Sequence, residues 1–264
     1  MDFSIEKYIE LLQALKKHNS FSIRHDVDLH PERSLRVAQV ETKEGLKATY
    51  YFRTVPESYD EEIIRQIVSL GHTAGYHYEC LTTCNGDMEA AYADFCLNLE
   101  KLRKVVPIST ACAHGSPRSP WNSQSMWETS RLREFETSRL QDFKTSRIRD
   151  IHALGIEYEP MLDTDFSKTL YLTDTGRRWD GHKVSVRDKV PQYQEQWIKE
   201  GLVFHTTDDI IQALRNPEHP IHKHNLLINT HPQRWMPFGL AWLKEATLQN
   251  VKNIVKRIII LNQR

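Results

Sequence analysis

Short β-rich runs alternate with amphipathic helical stretches along most of this chain, and this alternation most narrows the folds open to it. Runs rich in β-branched and aromatic residues precede segments whose apolar residues recur at three-to-four spacing. Such a succession is typical of parallel strands joined by crossover helices, which predicts an α/β fold. The predicted strands are 21–25, 49–52, 73–78, 108–113, 170–173, 202–205 and 226–229, and the main predicted helices are 5–18, 31–44, 60–70 and 87–105.

Size and charge exclude several classes of protein. With 264 residues the chain suits one domain with decorations, and we predict a single domain over 1–264. Lys+Arg and Asp+Glu each number 35, so no net charge draws the chain to nucleic acid or to an acidic bilayer. The sequence contains no transmembrane-length apolar run, and its first residues lack the features of a signal peptide. We therefore expect a cytoplasmic protein without a nucleic-acid partner, whose four cysteines are reduced.

An eight-residue repeat interrupts the alternation in residues 128–151, where the copies are 128–135, 136–143 and 144–151. Each copy rotates by about 80° around an ideal α-helix relative to the one before, so the copies cannot share one buried stripe. We interpret the repeat as a charged tandem expansion inserted at the surface, because short charged repeats are usually solvated. A partner-binding arm is the alternative interpretation.

Two aspartates, Asp26 and Asp28, directly follow the first predicted strand. The active sites of parallel α/β folds lie at the carboxyl ends of the strands, where both carboxylates can turn toward the same face. One carboxylate can then hold a cation while its neighbour accepts a proton from the attacking water. A purely structural alternative is that the pair caps the next helix or binds Arg24 or Arg33.

Histidines stand near the ends of three further predicted strands: His77, His114 and His231. A neutral imidazole is a common metal ligand and a common general acid or base. One such histidine alone is more often a hydrogen-bonded structural residue. Ionisable residues at four strand ends are harder to explain by packing, and this conjunction favours an enzyme.

Three segments resemble motifs of the carbohydrate esterase family 4 polysaccharide deacetylases, whose domain is also known from nodulation-type deacetylases. Residues 24–28 (Arg-His-Asp-Val-Asp) resemble the first motif, 71–79 resemble the second, and 226–231 resemble the last. The order along the chain agrees, and the resemblance spans roughly 21–235. The variant first motif, together with 114–117 (His-Gly-Ser-Pro) and 230–235 (Thr-His-Pro-Gln-Arg-Trp), is similar to a bacterial subgroup of that family associated with surface-polysaccharide synthesis. The resemblance implies a distorted (β/α) barrel of the polysaccharide deacetylase type, with the charged repeat as an insertion.

The same resemblance assigns roles to four residues. Asp26 matches the catalytic base of the family, and Asp28 matches its metal-binding aspartate. His77 matches the first metal-binding histidine, and His231 matches the general acid. Arg24 and His25 would be neighbours that orient or tune the two aspartates.

The chain departs from the family pattern where a second metal-binding histidine is expected, because Leu81 occupies that position. His114 is our first choice for the third ligand because it ends the next strand, and Glu79 is the alternative. Either residue would complete a three-ligand site with one open position.

Further supporting residues are predicted between the fourth strand and the last. Asp163 or Asp165 would stand in for the aspartate that tunes the acid. Arg177, Arg178 and Trp179 combine positive charge with an aromatic face, which suits a sugar with an anionic group. The alternative for this stretch is a surface turn closed by Asp174 and Arg178.

Together these features predict a metal-dependent hydrolase that removes an N-acetyl or other acyl group from a saccharide. The cofactor would be a divalent metal, zinc first and cobalt or nickel as alternatives. The substrate would be an intermediate of bacterial surface-polysaccharide (O-antigen or capsule) synthesis, with nucleotide- or lipid-linked forms as options. The alternatives are a decayed deacetylase fold that binds saccharides or acts as a scaffold, and a metal hydrolase of another C–N bond. A C-terminal helix within 237–264 would pack on the barrel or on a partner subunit, with a peripheral membrane contact as a further alternative, and the oligomeric state is open.

Overall fold

The computed structural model describes residues 1–116, 119–127, 149–180, 185 and 187–262, without the side chains of 251–252 and 254–262. Residues 128–148, which hold the repeat except for its last three residues, lie outside the described residues. The two interpretations of the repeat therefore stay predictions.

Six parallel strands form one curled sheet with the shape of a half-barrel. The strand order is β4-β3-β2-β1-β6-β5. The strands are β1 (Phe21–Val27), β2 (Thr49–Phe52), β3 (Thr73–Tyr78), β4 (Ala111–Ala113), β5 (Thr169–Thr173) and β6 (Asn225–Thr230). The predicted α/β fold with parallel strands is confirmed.

Nine α-helices are described, and several of them connect consecutive parallel strands. They are α1 (Ile5–Leu15), α2 (Pro31–Lys43), α3 (Glu61–Ser69), α4 (Cys80–Thr83), α5 (Met88–Arg103), α6 (Pro160–Asp163), α7 (Pro191–Lys199), α8 (Thr207–Arg215) and α9 (Leu240–Asn262). Among the described residues, no helix is both long enough and apolar enough to cross a bilayer.

Local signals explain where several helices begin. The side chain of Asp60 accepts a hydrogen bond from Ile63 N (3.0 Å) at the start of α3. Proline at the first position opens α2, and the preceding His30 adopts a left-handed conformation with φ of 57°. Thr206 and Asp209 form a capping box at α8. The Asp209 carboxylate of that box also accepts from the backbone amide of His205. Residues 202–205 are not a strand, contrary to the sequence prediction.

The central strand β1 lies between β2 and β6, so the chain order reverses at this point of the sheet. Residues Ile23–Val27 are all buried, as expected for a strand covered on both faces. In open parallel sheets, ligands bind beyond the carboxyl ends of the strands beside such a reversal. The end of β1 is therefore the place in this fold where a site is expected.

The C-terminal helix α9 packs against the chain itself. Arg177 forms an ion pair with Glu245, and the side-chain amide of Asn253 donates to the carbonyl of Gly176 (2.8 Å). The loop that follows β5 is thus held by α9.

Candidate metal centre

Side chains from four strand ends meet at the carboxyl edge of the sheet. Because β1, β3, β4 and β6 are parallel, the residues that end them lie at the same edge. The residues gathered there are Asp26, Asp28, His77, His114 and His231. The structure thus brings together the residues for which the sequence predicted the base, the ligands and the acid.

Three of these side chains form a group that could hold a divalent cation. Asp28 Oδ1 lies 3.7 Å from His77 Nε2 and 3.5 Å from His114 Nε2, and the three atoms all lie within 4.8 Å of one another. These separations are too long for hydrogen bonds, but two ligands about 2.1 Å from a tetrahedral zinc ion lie roughly 3.4 Å apart. Asp28 Oδ1 is also buried and finds no hydrogen-bond partner among the described residues. Asp28, His77 and His114 therefore fit a metal centre.

Both histidines of this group present the same ring nitrogen to Asp28. His77 Nδ1 lies 3.0 Å from the carbonyl oxygen of Cys112, and His114 Nδ1 lies 2.9 Å from Glu79 Oε2. Each Nδ1–H can donate to its oxygen, which leaves Nε2 with a free lone pair. Burial lowers the pKa of His77 to about 4, so this ring is neutral at pH 7, as a ligand must be.

Glu79, the alternative third ligand, lies behind His114. Its carboxylate accepts hydrogen bonds from His114 Nδ1, from Ser116 Oγ (3.1 Å) and from Arg53 Nε (2.9 Å). Burial raises the pKa of Glu79, but the His114 and Arg53 contacts outweigh it and lower the pKa to about 2. The geometry therefore favours His114 as the ligand and gives Glu79 a supporting position.

A second group, Asp26, His77 and Cys112, also brings ligand atoms within 4.8 Å of one another. Here the guanidinium of Arg24 lies between two of the members, with Nη1 3.0 Å from Cys112 Sγ and Nη2 3.2 Å from Asp26 Oδ2. Burial raises the pKa of the Cys112 thiol well above its usual range, so the thiolate form is disfavoured. Because the positive charge of Arg24 opposes the binding of a metal ion beside it, we assign the metal centre to the group of Asp28, His77 and His114.

Asp26 is buried and bound on one side only. Its Oδ2 accepts hydrogen bonds from Arg24 and from Asn229 Nδ2 (2.8 Å), whereas its Oδ1 has no partner in the described part of the chain. Burial raises the pKa of Asp26, but the charges of Arg24, His77 and His231 lower it further, and the net pKa is below the ordinary value. Asp26 is therefore an ionised carboxylate with one free acceptor oxygen.

His231 is held by the buried carboxylate of Asp174, which the sequence analysis did not predict as part of the site. Asp174 Oδ1 lies 2.6 Å from His231 Nδ1, and its Oδ2 accepts from Trp235 Nε1 (2.8 Å). The guanidinium of Arg234 also contacts Asp174. Burial and Arg234 lower the pKa of His231, while Asp174 and Asp28 raise it by more, so the net pKa is raised.

The available signal for Asp174 was its position directly after β5, the same signal that singled out Asp28. We interpreted that stretch as a possible surface turn, but Asp174 has no exposed surface. The tuning role predicted for Asp163 or Asp165 finds no geometric support. Asp163 Oδ2 accepts from Glu159 N (2.6 Å), and Asp165 Oδ1 accepts from Ser167 N (3.0 Å). Both carboxylates satisfy local backbone donors, and Asp174 occupies the position beside His231.

The predicted substrate-binding residues are not gathered at the metal group. Arg177 pairs with Glu245 of α9, and Arg178 Nε lies 2.7 Å from Asp180 Oδ1. Trp179 is buried and donates its indole N–H to Thr207 Oγ1 (2.9 Å). These contacts show a structural use for all three side chains.

His25 lies on the opposite face of β1 from its neighbours Arg24 and Asp26, because successive side chains of a strand alternate. Its Nε2 is 2.8 Å from Glu41 Oε1, and its Nδ1 is 2.7 Å from Thr230 Oγ1. It does not contact the aspartates that it was predicted to tune. Arg24, in contrast, binds Asp26 directly.

Comparison with known proteins adds no relative. No protein-family model matches the chain, no curated protein matches it, and no solved structure matches it. What the structure itself defines is an α/β protein with a parallel half-barrel and a candidate metal centre at the carboxyl ends of its strands. Function is therefore inferred from the residues at those strand ends.

Proposed function

We propose that this chain is a metal-dependent deacetylase that hydrolyses an N-acetyl or other acyl group on a saccharide. The observation that supports the proposal most directly is the convergence, at one sheet edge, of a three-ligand group, an ionised carboxylate and a histidine held by a second carboxylate. The resemblance of 24–28, 71–79 and 226–231 to the polysaccharide deacetylases supports the substrate class and the barrel type. It also favours an intermediate of surface-polysaccharide synthesis as the substrate.

Asp28, His77 and His114 would hold the cation. One carboxylate and two neutral imidazoles form a donor set that suits zinc, with cobalt and nickel as close competitors. A divalent cation bound there acts as a Lewis acid that activates water and polarises the acyl carbonyl.

Asp26 is suited to accept the proton of the attacking water. Arg24 and Asn229 occupy its Oδ2, so the carboxylate cannot rotate freely and its Oδ1 stays available. The lowered net pKa keeps Asp26 ionised at neutral pH, so its free Oδ1 carries no proton and can receive one from the water.

His231 is suited to donate a proton to the departing amine. Its Nε2 lies 3.8 Å from Asp28 Oδ2, on the side of the metal group, while its Nδ1 faces Asp174. Asp174 raises the pKa of the ring and fixes its orientation, and both effects favour a protonated ring next to the scissile C–N bond. Water then adds to the carbonyl carbon, the C–N bond breaks, and the products are acetate and an amine.

The test is acetate release from a panel of N-acetylated saccharides with added zinc, cobalt or nickel. We expect Asp28→Ala to abolish release, since it removes the only carboxylate of the ligand group. Asp165→Ala is the matched control, because it removes an exposed aspartate whose contacts within the described part of the chain are with Ser167 and Lys168 of its own turn. This variant should keep the parental rate. Equal rates for the parent and Asp28→Ala would refute the proposal.

Two added measurements, of saccharide binding and of cyclic-amide hydrolysis, separate the two alternative functions. A parent chain that binds the cation and saccharides but releases no acetate would indicate a binding protein. Release of product from cyclic amides, and not from N-acetylated saccharides, would indicate hydrolysis of another C–N bond.

A further inference from the structure

The two histidines of the metal group are oriented by different kinds of acceptor. His77 faces a backbone carbonyl of the neighbouring strand β4, which the sheet itself fixes in place. His114 follows β4 and faces the side chain of Glu79, which follows β3. The ring of His114 is therefore oriented by side chains, with the Glu79 carboxylate as the nearest partner of Nδ1 and Ser116 Oγ at 3.1 Å from the same atom.

That carboxylate is held by Arg53, which follows β2. Arg53 binds Glu79 Oε1 through Nε at 2.9 Å and through Nη2, and its Nη1 lies 3.5 Å from the backbone oxygen of Asp28. Ser116 Oγ binds the other carboxylate oxygen at 3.1 Å. Side-chain exposure is only 18% for Arg53 and 17% for Glu79, so water competes weakly for these contacts.

The Arg53–Glu79 pair thus connects the loops that follow β1, β2, β3 and β4. It contacts the ligand His114 through its ring and the ligand Asp28 through its backbone. Two charge-assisted hydrogen bonds from one guanidinium to Glu79 Oε1 restrict the rotation of the carboxylate, and thereby the rotation of the imidazole that it contacts.

We propose that Glu79 is a positioning residue that makes His114 the third ligand of the metal centre, and that Arg53 fixes Glu79 for this purpose. Glu79 accepts the hydrogen bond from Nδ1–H and thereby selects the tautomer of His114 in which Nε2, which faces Asp28, carries the free lone pair. The inference rests on the metal centre of the proposed function and specifies which residues outside the ligand group determine its affinity. Removal of a carboxylate that orients a ligating histidine typically lowers metal affinity about 10- to 100-fold.

The experiment measures zinc affinity in competition with a chromophoric chelator, without any substrate. We expect about a 10-fold loss for Glu79→Gln, which keeps a neutral acceptor, and a loss toward 100-fold for Glu79→Ala. The visible absorption of bound cobalt should change in Glu79→Ala in the same direction as in His114→Ala, because both variants lose a well-placed imidazole. A change in general stability would not reproduce that spectrum.

The matched control is Glu200→Gln. Glu200 Oε2 lies 2.8 Å from His224 Nε2, so it repeats the carboxylate–histidine contact outside both candidate ligand groups. Zinc affinity of this variant should equal that of the parent. If the Glu79 variants fail to fold, Arg53→Met tests the same point with an expected several-fold loss.

The outcomes separate the two proposals. If the parent binds zinc and the Glu79 and Arg53 variants bind it with the same affinity, the positioning role is overturned and the proposed function stands. If the parent binds zinc and the variants bind it more weakly, but the parent releases no acetate, the positioning role is supported and the deacetylase is rejected. A parent that binds none of zinc, cobalt and nickel would overturn both.

Discussion

Replacement of Glu41 by Gln tests a buried hydrogen-bond network on the face of β1 that points away from the metal group. Glu41, in α2, has no exposed surface and accepts hydrogen bonds from Tyr8 Oη (2.5 Å), Tyr50 Oη (2.5 Å) and His25 Nε2 (2.8 Å). The variant keeps the shape of the side chain, but its amide has one neutral acceptor oxygen, and its NH2 group is a donor where Glu41 has a second acceptor oxygen.

The contacts set the size of the expected effect. A hydrogen bond to a charged group contributes about 1.5–3 kcal/mol and one between neutral groups about 0.5–1.5 kcal/mol, so three weakened bonds cost about 3 kcal/mol. An amide is easier to bury than a carboxylate, which offsets part of this loss. We expect Glu41→Gln to lower the free energy of unfolding by about 2 kcal/mol, which is a decrease in Tm of roughly 4–8 °C for a chain of this size.

The effect should depend on pH. Burial raises the pKa of Glu41, but His25, Tyr50 and Tyr8 lower it by more, so the folded-state pKa lies below the ordinary value. A group with a lowered folded-state pKa stabilises the fold above its unfolded pKa, about 4.3 for Glu, and this stabilisation is lost as the pH falls through the folded-state value. The difference between parent and variant should therefore be complete at pH 7 and decrease below about pH 4.

The assay is urea unfolding, read from the midpoint at an unchanged slope. Glu32→Gln is the control, because Glu32 also lies in α2 and binds a histidine, His30 (3.1 Å), but with 60% of its side chain exposed. Its midpoint should equal that of the parent. Equal midpoints for the parent and Glu41→Gln at pH 7 would refute the assignment of a stabilising, ionised Glu41.

Two further predictions concern β3 and the repeat. Gly75→Ala should lower the free energy of unfolding by about 1–3 kcal/mol, since the added Cβ would lie 2.5 Å from the ring of the buried Tyr51, whereas Gly239→Ala, which meets no atom within 4 Å, should not. Thermal unfolding of both variants tests this, and an unaffected Gly75→Ala would contradict the close packing. Deletion of one repeat copy, 136–143, should leave acetate release intact if the repeat is a surface expansion. Loss of hydrolysis in that deletion would favour the partner-binding arm.

Local sequence patterns were sufficient for most elements of the fold. The predicted strands 49–52 and 73–78 match β2 and β3 residue for residue, and the proline that predicts the start of α2 opens that helix. These signals depend on a few neighbouring residues. Residues 202–205 were predicted wrongly because a β-rich composition does not reveal that the amides of His205 and of the following Thr206 donate to Asp209 at the start of α8.

The sequence by itself determined which residues stand at the strand ends, and a parallel sheet then necessarily gathers Asp26, Asp28, His77, His114 and His231 at one edge. Only the tertiary structure decided which groups support them. Asp174 binds His231 across 57 residues because β5 pairs with β6, and Glu79 binds His114 across 35 residues because β3 pairs with β4. Such contacts depend on strand order and burial, which no local pattern contains. For the same reason the structure assigned Asp163 and Asp165 to their own turns, and His25 to the opposite face of the sheet.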